Sequence, residues 1–489
     1  MNVRKCTSLM NWKPNRESQI PIYKQIAQYL EQRISNGEYP AGTTLPSERL
    51  LSKELVVNRS TVVAAYEELR ASGIVESLKG KGTIVSKNIW GTSRKRIPNW
   101  EKLIETGSFL PNTTMMRTIR KEAFELDLID LASGELSPDL SASQYFRKIM
   151  SNESFDYHVG YDHPQGNLKL RETIALHLKE FRDIHASPSS ILITSGAQQA
   201  LYLIVQCLLQ PGDAVAIEDP SYCYSLRLFK SAGLRPFLLP VDDHGINPDD
   251  IVQFHKQHRI KMVFLNPNFQ NPNGSVLDLE RRKRVLEISS YYGIPIVEDD
   301  PYSVTAFDKP QVSTLKSMDQ NGTVLYVSSL SKIVASGLRI GWIFGPKAVI
   351  ERLADAKQQI DFGHSIIPEW IANQFLSSED FSAHLHKLRD SLAFNRDKIV
   401  FSLYDQLDDQ VEFLIPEGGI HIWCKVKADI NEQQLLKEAI KRGVVYVPGS
   451  VFGTQKGYVR FTFGRIKEEH IYEAISRFSD SLHSFKKIK

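Results

Sequence analysis

The most reactive side chain suggested by the sequence is Lys332, in the stretch Ser329-Leu-Ser-Lys332. The stretch follows an apolar, β-prone run at 324–327, so the lysine is expected in a loop at the end of a strand. An amine held at the mouth of a sheet can form a Schiff base with a carbonyl compound. A loop lysine alone is usually solvated and idle, so its assignment depends on the residues that accompany it.

A carboxylate and a phenol follow another predicted strand, in Val297-Glu-Asp-Asp-Pro-Tyr302. Asp299 and Tyr302 come directly after the apolar run at 294–297, so they arrive together at a strand end. A carboxylate there can hold a pyridine nitrogen protonated, which makes the ring an electron sink. Without the downstream lysine, Asp-Asp-Pro-Tyr would be an ordinary strand-terminating turn.

Further donors lie in two other loops. Asn271, in the loop 266–274, can donate to a ring oxygen, although as a turn alone the loop would mean little. The stretch 194–198 precedes a helical run at 199–209, so its backbone amides can meet a phosphate at a helix N-terminus. The predicted phosphate contacts are Ser195, Gly196, Ala197, Gln198, Ser329 and Arg339, and Ser331 is predicted to bind the cofactor without an assigned atom.

Two more side chains complete the expected site. Tyr222, in Asp219-Pro-Ser-Tyr222, can stack on a ring, but a place in the core is nearly as consistent with the sequence. Arg460 alternates with Val459 and Phe461 along a predicted strand, so it points away from their apolar face and suits a ligand carboxylate.

Together these residues match the needs of pyridoxal phosphate. That cofactor requires a lysine for a Schiff base, a carboxylate at the pyridine nitrogen, donors for its 3′ oxygen and phosphate, and a stacking face. The sequence supplies a candidate for each requirement. It therefore predicts a pyridoxal phosphate site, with no metal site indicated.

The elements around these residues predict an α/β fold. Apolar strands at 214–217, 262–265, 294–297 and 324–327 alternate with helical segments such as 279–292, which predicts a largely parallel sheet covered by helices. From about Arg389 a long helix precedes strands at 411–415, 419–426 and 458–463. This second pattern predicts a smaller α+β subdomain at the sheet edge.

The first part of the chain has a different organisation. Apolar residues at helical spacing predict a helix over 21–36, Ser47 can cap a second helix to about Leu55, and Asn58 can cap a third that ends at Gly73. The short turn between the second and third helices is typical of a helix-turn-helix. The third helix would present its amino-terminal residues to a DNA major groove.

A hairpin is predicted after the third helix, with strands at 74–77 and 83–85 around the glycine-rich loop 78–82. Lysines in that loop can neutralise phosphates, as in the wing of a winged helix-turn-helix. Between residues 20 and 85 there are 8 basic and 7 acidic side chains, so charge adds little. A helical protein-interaction bundle is the alternative interpretation.

The residues 20–86 resemble the winged helix-turn-helix of the GntR regulators, including the entry Leu45-Pro-Ser-Glu-Arg49 and the wing Gly80-Lys-Gly82. The resemblance covers about 65 residues. It implies DNA contacts from Arg49, Asn58, Arg59, Ser60, Thr61, Lys81 and Gly82. Val63 stands where relatives use arginine, which leaves the target sequence open.

About 350 residues of the remaining chain resemble fold-type I aminotransferases, on the joint occurrence of TSGAQ, QNPNG, EDDPY, SLSK, GLRIGW and YVRF. The fusion resembles the MocR/GabR subfamily of GntR regulators. That resemblance implies Lys332 as the Schiff-base lysine, Asp299 at the pyridine nitrogen, Asn271 and Tyr302 at the 3′ oxygen, and Ser329 and Arg339 at the phosphate. Ile333 and Ser336 depart from the usual threonine and proline.

The same resemblance implies a domain-swapped, head-to-tail homodimer in which Tyr161 reaches the partner's phosphate site. A two-fold dimer predicts repeated operator half-sites on double-stranded DNA. The expected organisation is a DNA-binding domain at 20–86, a linker at 87–125 and an effector and dimerisation domain at 126–489. The linker carries a short basic run at 94–96, for which solvation is a better interpretation than DNA contact.

Composition is consistent with a cytoplasmic protein. With 42% hydrophobic and 24% charged residues, the 489-residue chain has the balance of a soluble, multidomain globular protein. Its four cysteines lie far apart without metal-ligand spacing, and its amino terminus lacks the apolar core of a signal peptide. No apolar run is long enough to predict a membrane span.

Three functions follow from this pattern. The leading hypothesis is a transcription regulator in which a small amino-group effector exchanges onto the cofactor at Lys332, engages Arg460 through a carboxylate and shifts the dimer between DNA-binding states. An active aminotransferase with a DNA-binding-like appendage is the main alternative. A regulator that senses pyridoxal phosphate itself is the third.

Overall fold

A computed structural model describes residues 12–78, 80–87, 100–125, 128–155, 157–307 and 312–488. The chain divides into two compact units, residues 1–108 and 109–489. No helix among these residues combines the length and apolar character needed to cross a lipid bilayer.

The first unit has the predicted helices and hairpin. Its elements are α1 (Ile22–Ser35), α2 (Glu48–Leu55), α3 (Arg59–Ala71), β1 (Val75–Leu78), β2 (Gly82–Val85) and α4 (Trp100–Thr106). Ile26 and Leu30 of α1 pack with Val62 and Tyr66 of α3 in one buried core. The apolar stripes of these helices therefore face each other, as their spacing predicted.

The caps of α2 and α3 differ. The Ser47 hydroxyl accepts a hydrogen bond from the Leu50 N–H at 3.3 Å and caps α2 as predicted. Asn58 occupies the N-cap position of α3, but its side chain makes no cap hydrogen bond, contrary to prediction. The side chain is exposed instead, so the start of α3 is fixed by backbone geometry and its polar group stays available to a ligand.

β1 and β2 pair antiparallel, with Val75 opposite Val85 and Leu78 opposite Gly82. Gly80 and Gly82 adopt φ values of 84° and 83°, a left-handed conformation that favours glycine and closes the short turn. The hairpin is therefore the predicted wing, and the starts of its two strands differ from the predicted starts by one residue each. Lys79 lies outside the described residues.

The second unit contains the helices α5 (Thr114–Glu125), α6 (Ser143–Asn152), α7 (Leu168–Arg182), α8 (Gly196–Leu208), α9 (Tyr222–Ser225), α10 (Leu228–Ser231), α11 (Pro248–His258), α12 (Leu279–Tyr292), α13 (Leu315–Met318), α14 (Lys347–Asp361), α15 (Ile366–Leu376), α16 (Glu379–Leu407), α17 (Glu432–Lys441) and α18 (Ile471–Ile488). Its strands are β3 (Ile129–Asp130), β4 (Ile191–Thr194), β5 (Ala214–Asp219), β6 (Arg235–Asp242), β7 (Gly245–Ile246), β8 (Met262–Leu265), β9 (Ile296–Asp299), β10 (Val324–Ser329), β11 (Gly341–Phe344), β12 (Val411–Phe413), β13 (His421–Val426), β14 (Val444–Val445), β15 (Val447–Pro448) and β16 (Tyr458–Thr462).

The main sheet of the described residues has the order β4-β11-β10-β9-β8-β5-β6-β7. β6, β5, β8, β9 and β10 run parallel, while β11 is antiparallel to both of its neighbours. β5, β8, β9 and β10 are buried along their whole length, whereas β6, nearer the sheet edge, is partly exposed. The prediction of a largely parallel α/β sheet is confirmed.

The smaller subdomain contains a sheet with the order β12-β13-β16-β15, together with the long helix α16. β13 pairs antiparallel with β16, which places Trp423 opposite Arg460. This arrangement agrees with the predicted α+β subdomain.

The range predicted as a linker, 87–125, requires correction at its carboxyl end. Residues 114–125 form α5, and Ile119 of this helix is buried in the core of the second unit. The second unit begins at Phe109 rather than at 126. Residues 88–99, with the basic run 94–96, lie outside the described residues.

A buried ion pair anchors the end of β9. Arg182, the last residue of α7, places its Nε 3.3 Å from a carboxylate oxygen of Asp300, and neither side chain is exposed. The same oxygen accepts hydrogen bonds from Tyr326 at 2.6 Å and from Ser303. This network fixes the backbone where the strand turns into the loop 300–302.

Replacing Arg182 by methionine is expected to lower the free energy of unfolding of the second unit by about 3 kcal/mol, because a buried carboxylate loses its counter-charge. The exposed pair Lys148–Asp380, at 2.7 Å, supplies the matched control. Lys148→Met should have little effect because water screens the charges. Denaturant unfolding followed by circular dichroism measures the free energy of unfolding of both variants. Equal losses in the two variants would show that the buried ion pair is no more important for stability than the exposed one.

Candidate functional site

A cavity of about 510 Å³ opens where the parallel strands of the main sheet end. Residues from the ends of β8, β9 and β10 and from the loops beyond β4 and β5 line it. Of the predicted residues, it brings together Ala197, Gln198, Tyr222, Asn271, Asp299, Tyr302, Ser329, Ser331, Lys332, Arg339 and Arg460. The order of strands in the sheet therefore gathers side chains that are far apart in sequence.

Lys332 ends a 3-10 turn that directly follows β10. Its ammonium donates a hydrogen bond to the backbone carbonyl of Gly134. Burial and the nearby Arg460 charge lower the pKa of Lys332 to about 8. The lysine is thus closer than an ordinary lysine to the neutral state that nucleophilic attack requires.

Asp299 ends β9 and is buried, and its Oδ1 has no hydrogen-bond partner in the structure. Burial and the neighbouring Asp300 raise the pKa of Asp299 to about 7. The Asn266 side chain holds the Asp299 backbone carbonyl at 2.7 Å, which leaves the carboxyl group as the unsatisfied part of the residue. Such an oxygen at a cavity wall fits a ligand that brings an N–H, and a pyridinium ring provides one.

Asn271 and Arg460 are joined by a hydrogen bond of 3.0 Å from the guanidinium to the amide oxygen. Because its oxygen is occupied, the Asn271 amide has its NH₂ group available to donate. Arg460 also donates to the Ala132 carbonyl at 2.6 Å, and its guanidinium lies 4.6 Å from the centre of the Phe452 ring. The arginine is buried, and this burial lowers its pKa to about 10.

Tyr302 lies 3.1 Å from Nε2 of His421, and Nδ1 of this histidine lies 3.0 Å from the Thr462 hydroxyl. Burial and the Arg460 charge lower the pKa of His421 well below its usual value, so the imidazole is neutral. Burial raises the pKa of Tyr302, so the phenol keeps its proton. His421 could not be predicted as a site residue from the sequence, because a single histidine within a strand belongs to no recognisable motif.

An anion-binding arrangement lies at the start of α8. Arg339 donates to the Ser195 carbonyl at 2.7 Å, and a Cβ on Gly196 would lie 2.7 Å from this guanidinium. Gly196 has a φ of 75°, so the position favours glycine in both conformation and space. Ser329 and Ser331 are buried at the same wall of the cavity. A helix N-terminus, hydroxyls and a guanidinium together fit a phosphate.

Tyr222 lines the cavity, and its hydroxyl accepts a hydrogen bond from the Gln198 amide at 2.9 Å. The ring also packs against the hydrophobic core, so the residue borders both the cavity and the core. Tyr161 lies elsewhere: it is 85% exposed, and its ring centre is 5.7 Å from that of Phe362. Within one chain, Tyr161 does not reach the cavity.

Several lining residues were not singled out in the sequence. They include one face of α5 and the segment 132–135, listed as Met116, Ile119, Arg120, Ala123, Ala132, Ser133, Gly134 and Glu135. Ser336, which replaces the usual proline, donates a hydrogen bond to Glu135, and Ile333 is fully buried. The atypical loop after the lysine is therefore tied to the segment that the lysine contacts.

In the first unit, the predicted DNA-contact residues lie on its surface. Arg49, Asn58, Arg59, Ser60, Lys81 and Gly82 are exposed, and Thr61 is half-buried. Arg59 pairs with Glu48 at 2.9 Å but remains 68% exposed. The start of α3 and the tip of the wing thus present polar and basic groups to solvent.

Comparisons with known proteins agree with this division. Residues 127–478 match the family described as aminotransferase class I and II, and residues 22–85 match that of bacterial regulatory proteins, gntR family. The fold and the site define the second unit as a class I and II aminotransferase domain. The chain therefore belongs to the aminotransferase class I and II family and joins that domain to a gntR-type DNA-binding module, the combination expected of the MocR/GabR regulators.

Individual relatives fall into both groups. The chain is 37% identical over 459 residues to the uncharacterized HTH-type transcriptional regulator YdfD of Bacillus subtilis, covering 93% of this chain and 95% of that protein. It is 32% identical over 396 residues to aromatic-amino-acid aminotransferase 1 of Thermococcus litoralis, covering 78% and 95%. The kynurenine aminotransferase structure of Pyrococcus horikoshii aligns with a TM-score of 0.72 at 31% identity, covering 80% and 97%.

The raised pKa of Asp299 predicts a pH-dependent stability for the cofactor-free protein. The folded-state pKa of about 7 exceeds the unfolded value of about 3.9, so the carboxyl group progressively destabilises the fold as pH rises between them. Asp299→Asn should therefore increase the free energy of unfolding more at pH 8 than at pH 5. Denaturant unfolding at both pH values measures this difference.

Glu280→Gln is the control, because that carboxylate is 81% exposed and pairs with a lysine rather than a histidine. It should show no such divergence between the two pH values. If Asp299→Asn changed the free energy of unfolding by the same amount at pH 5 and at pH 8, burial of the ionised Asp299 carboxylate would not destabilise the fold.

Proposed function

We propose that this protein is a pyridoxal phosphate-dependent transcription regulator that responds to a small amino-group metabolite. The observation that carries the proposal is the partnerless, buried oxygen of Asp299 in the same cavity as Lys332. Since the chain also has a gntR-type module, the cavity is best explained as the sensory site of a regulator.

The cofactor would be held by residues around the cavity. Asp299 would accept the ring N–H, while Asn271 and Tyr302 would donate to the 3′ oxygen. Tyr222 would pack on the ring, and the phosphate contacts would be Ser195, Gly196, Ala197, Gln198, Ser329, Ser331 and Arg339. When bound, pyridoxal phosphate supplies an aldehyde carbon for a Schiff base with Lys332 or with an effector amine.

Lys332 and Arg460 would act on the effector, Lys332 at its amino group and Arg460 at its carboxylate. The low pKa of Lys332 keeps part of its amine neutral, so it can exchange with a metabolite amine and hold a proton near the reacting carbon. Arg460 carries its charge in a buried position and would orient an effector carboxylate. An effector that favours one DNA-binding state must bind that state more tightly.

DNA would be contacted by the start of α3, by Arg49 and by the wing. In this arrangement Asn58, Arg59, Ser60 and Thr61 face the major groove, and Lys81 and Gly82 reach the minor groove. We further propose a head-to-tail, domain-swapped homodimer, in which the exposed Tyr161 completes the partner's phosphate site. Such a dimer would bind repeated operator half-sites.

Sustained transamination is the second candidate function. It is supported by the 32% sequence identity to an aminotransferase and by the presence of Lys332 in the cavity, where its amine could move a proton at the cofactor carbon. A single slow half-reaction would fit either function, whereas repeated turnover would favour the enzyme.

The deciding experiment measures binding of the full-length protein to DNA upstream of its own and neighbouring genes, with and without pyridoxal phosphate and candidate amines. We expect specific binding that changes with the cofactor and amine in wild type but not in Lys332→Ala. Lys347→Ala, at an exposed lysine, should behave as wild type. Absence of DNA binding together with steady transamination would favour the enzyme, and a response to cofactor alone would favour cofactor sensing.

A second experiment tests the DNA face. Arg49→Ala should weaken binding about tenfold and reduce the salt dependence by about one counterion, because one phosphate contact is lost. Arg70→Ala is the matched control, since this exposed arginine lies near the far end of α3. Equal effects of the two substitutions on operator affinity would argue against the proposed orientation of the module.

A further inference from the structure

Both backbone polar groups of Ser195, at the start of α8, are engaged by side chains of the protein. The Ser195 N–H donates to the side-chain oxygen of Gln199 at 2.7 Å, and the Ser195 carbonyl accepts from Arg339 at 2.7 Å. Gly196 and Ala197 begin α8, where N–H groups have no partner within the helix. These two N–H groups and the Ser195 hydroxyl are therefore the donors left for a phosphate.

Gln199 is held in turn by Asp361, the last residue of α14. The Gln199 amide donates to one carboxylate oxygen of Asp361 at 2.8 Å. The other oxygen accepts from the Lys357 ammonium at 3.2 Å and from the Gly363 N–H at 3.1 Å. Lys357 is fully buried one helical turn before Asp361, so this carboxylate brings no unbalanced negative charge to the anion-binding arrangement.

The segment that begins at Asp361 also contacts the phosphate arginine. Nε2 of His364 lies 2.9 Å from the carbonyl oxygen of Arg339. A carbonyl can only accept, so the imidazole donates this hydrogen bond. Arg339 has a φ of 56°, a left-handed conformation that is uncommon for a residue with a side chain. Residues 361–364 thus hold Ser195 through Gln199 and hold the backbone of Arg339 through His364.

These supporting side chains stand behind the cavity wall. Among the described residues that line the cavity, Gln199, Asp361 and His364 do not occur. Their effect on a ligand must therefore pass through the residues that they hold. Ordering the groups of a binding site costs free energy, so donors that are oriented before the ligand arrives bind it more tightly.

We infer that Gln199 and Asp361 are positioning residues for the cofactor phosphate. Gln199 fixes the backbone at the start of α8, and Asp361 fixes the Gln199 amide. The phosphate then meets N–H and hydroxyl donors that are already oriented. This inference rests on the proposed function, because it requires pyridoxal phosphate in the cavity.

The test compares the affinities of the full-length, cofactor-free protein for pyridoxal phosphate and for pyridoxal, which lacks the phosphate. Binding is followed by the absorbance of the ligand. Gln199→Ala should weaken pyridoxal phosphate binding about tenfold, because a charge-assisted hydrogen bond to the phosphate loses its oriented donor. Pyridoxal binding should change by less than about twofold. A purely structural role of Gln199 would weaken both ligands alike.

The phosphorus magnetic resonance of bound pyridoxal phosphate supplies a second measurement. A phosphate monoester takes up its second proton near pH 6, and donors that favour the dianion lower this pKa. The resonance should therefore titrate at a higher pH in Gln199→Ala than in wild type. An unchanged titration would show that Gln199 does not act on the phosphate.

Gln206→Ala is the matched control, since this exposed glutamine lies on the same helix α8. It should bind both ligands as wild type does. The thermal unfolding midpoint of each variant shows whether the fold is intact.

Asp361→Asn tests the outer contact and keeps the shape of the side chain, so it also serves if Gln199→Ala does not fold. It replaces one of the two acceptor oxygens that Lys357 and Gln199 use. The same selective loss of pyridoxal phosphate affinity is expected. Asp355→Asn, at an exposed carboxylate of the same helix α14, should have no effect.

A double variant tests whether Asp361 acts through Gln199. If it does, Gln199→Ala combined with Asp361→Asn should bind pyridoxal phosphate no more weakly than Gln199→Ala alone. If the two losses add, if neither substitution weakens pyridoxal phosphate, or if pyridoxal is weakened equally, the inference is wrong and the proposed function stands. If wild type binds neither ligand, the cofactor assignment and with it the proposed function are wrong.

Discussion

Three consecutive carboxyl groups at the end of β9 are the constraint around which the large domain is arranged. Glu298, Asp299 and Asp300 are all buried, and an isolated buried carboxylate is costly. Glu298 accepts hydrogen bonds from the backbone N–H groups of Leu315 and Lys316, each at 2.8 Å. Asp300 is matched by Arg182. Of the three, only Asp299 has a carboxylate oxygen without a hydrogen-bond partner. The hydrogen bonds and the ion pair of Glu298 and Asp300 therefore hold this residue in place between them.

This arrangement explains how much of the site could be predicted. Helix α12 has the predicted bounds, and Gly293 adopts a left-handed conformation where it ends. The motifs around Asp299 and Lys332 were also recognisable, because strand-end loops have short, local signatures. Sheet order then brought them together, and a sequence that alternates strands and helices predicts that order only in general terms.

The missed features depend on tertiary contacts. Helix α5 follows a stretch without periodicity, so its packing through Ile119 was not visible in the sequence. His421 contributes through its position beside Tyr302, and the carbonyls of Ala132 and Gly134 contribute through the backbone, which has no residue-type signature. The absence of a side-chain cap at Asn58 likewise reflects the geometry of the turn. Local sequence patterns therefore predicted the residues that carry the chemistry, but not the residues that pack around them.

The segment 132–135 has a further consequence. Its carbonyls at Ala132 and Gly134 accept hydrogen bonds from Arg460 and Lys332, two cations that face the cavity. The same segment directly follows β3, which pairs with β14 beside the smaller subdomain. A ligand that accepts from these same N–H groups would take the place of a backbone carbonyl as acceptor. The contacts that hold segment 132–135 at the cavity wall are therefore made by the same donors that a ligand in the cavity would use.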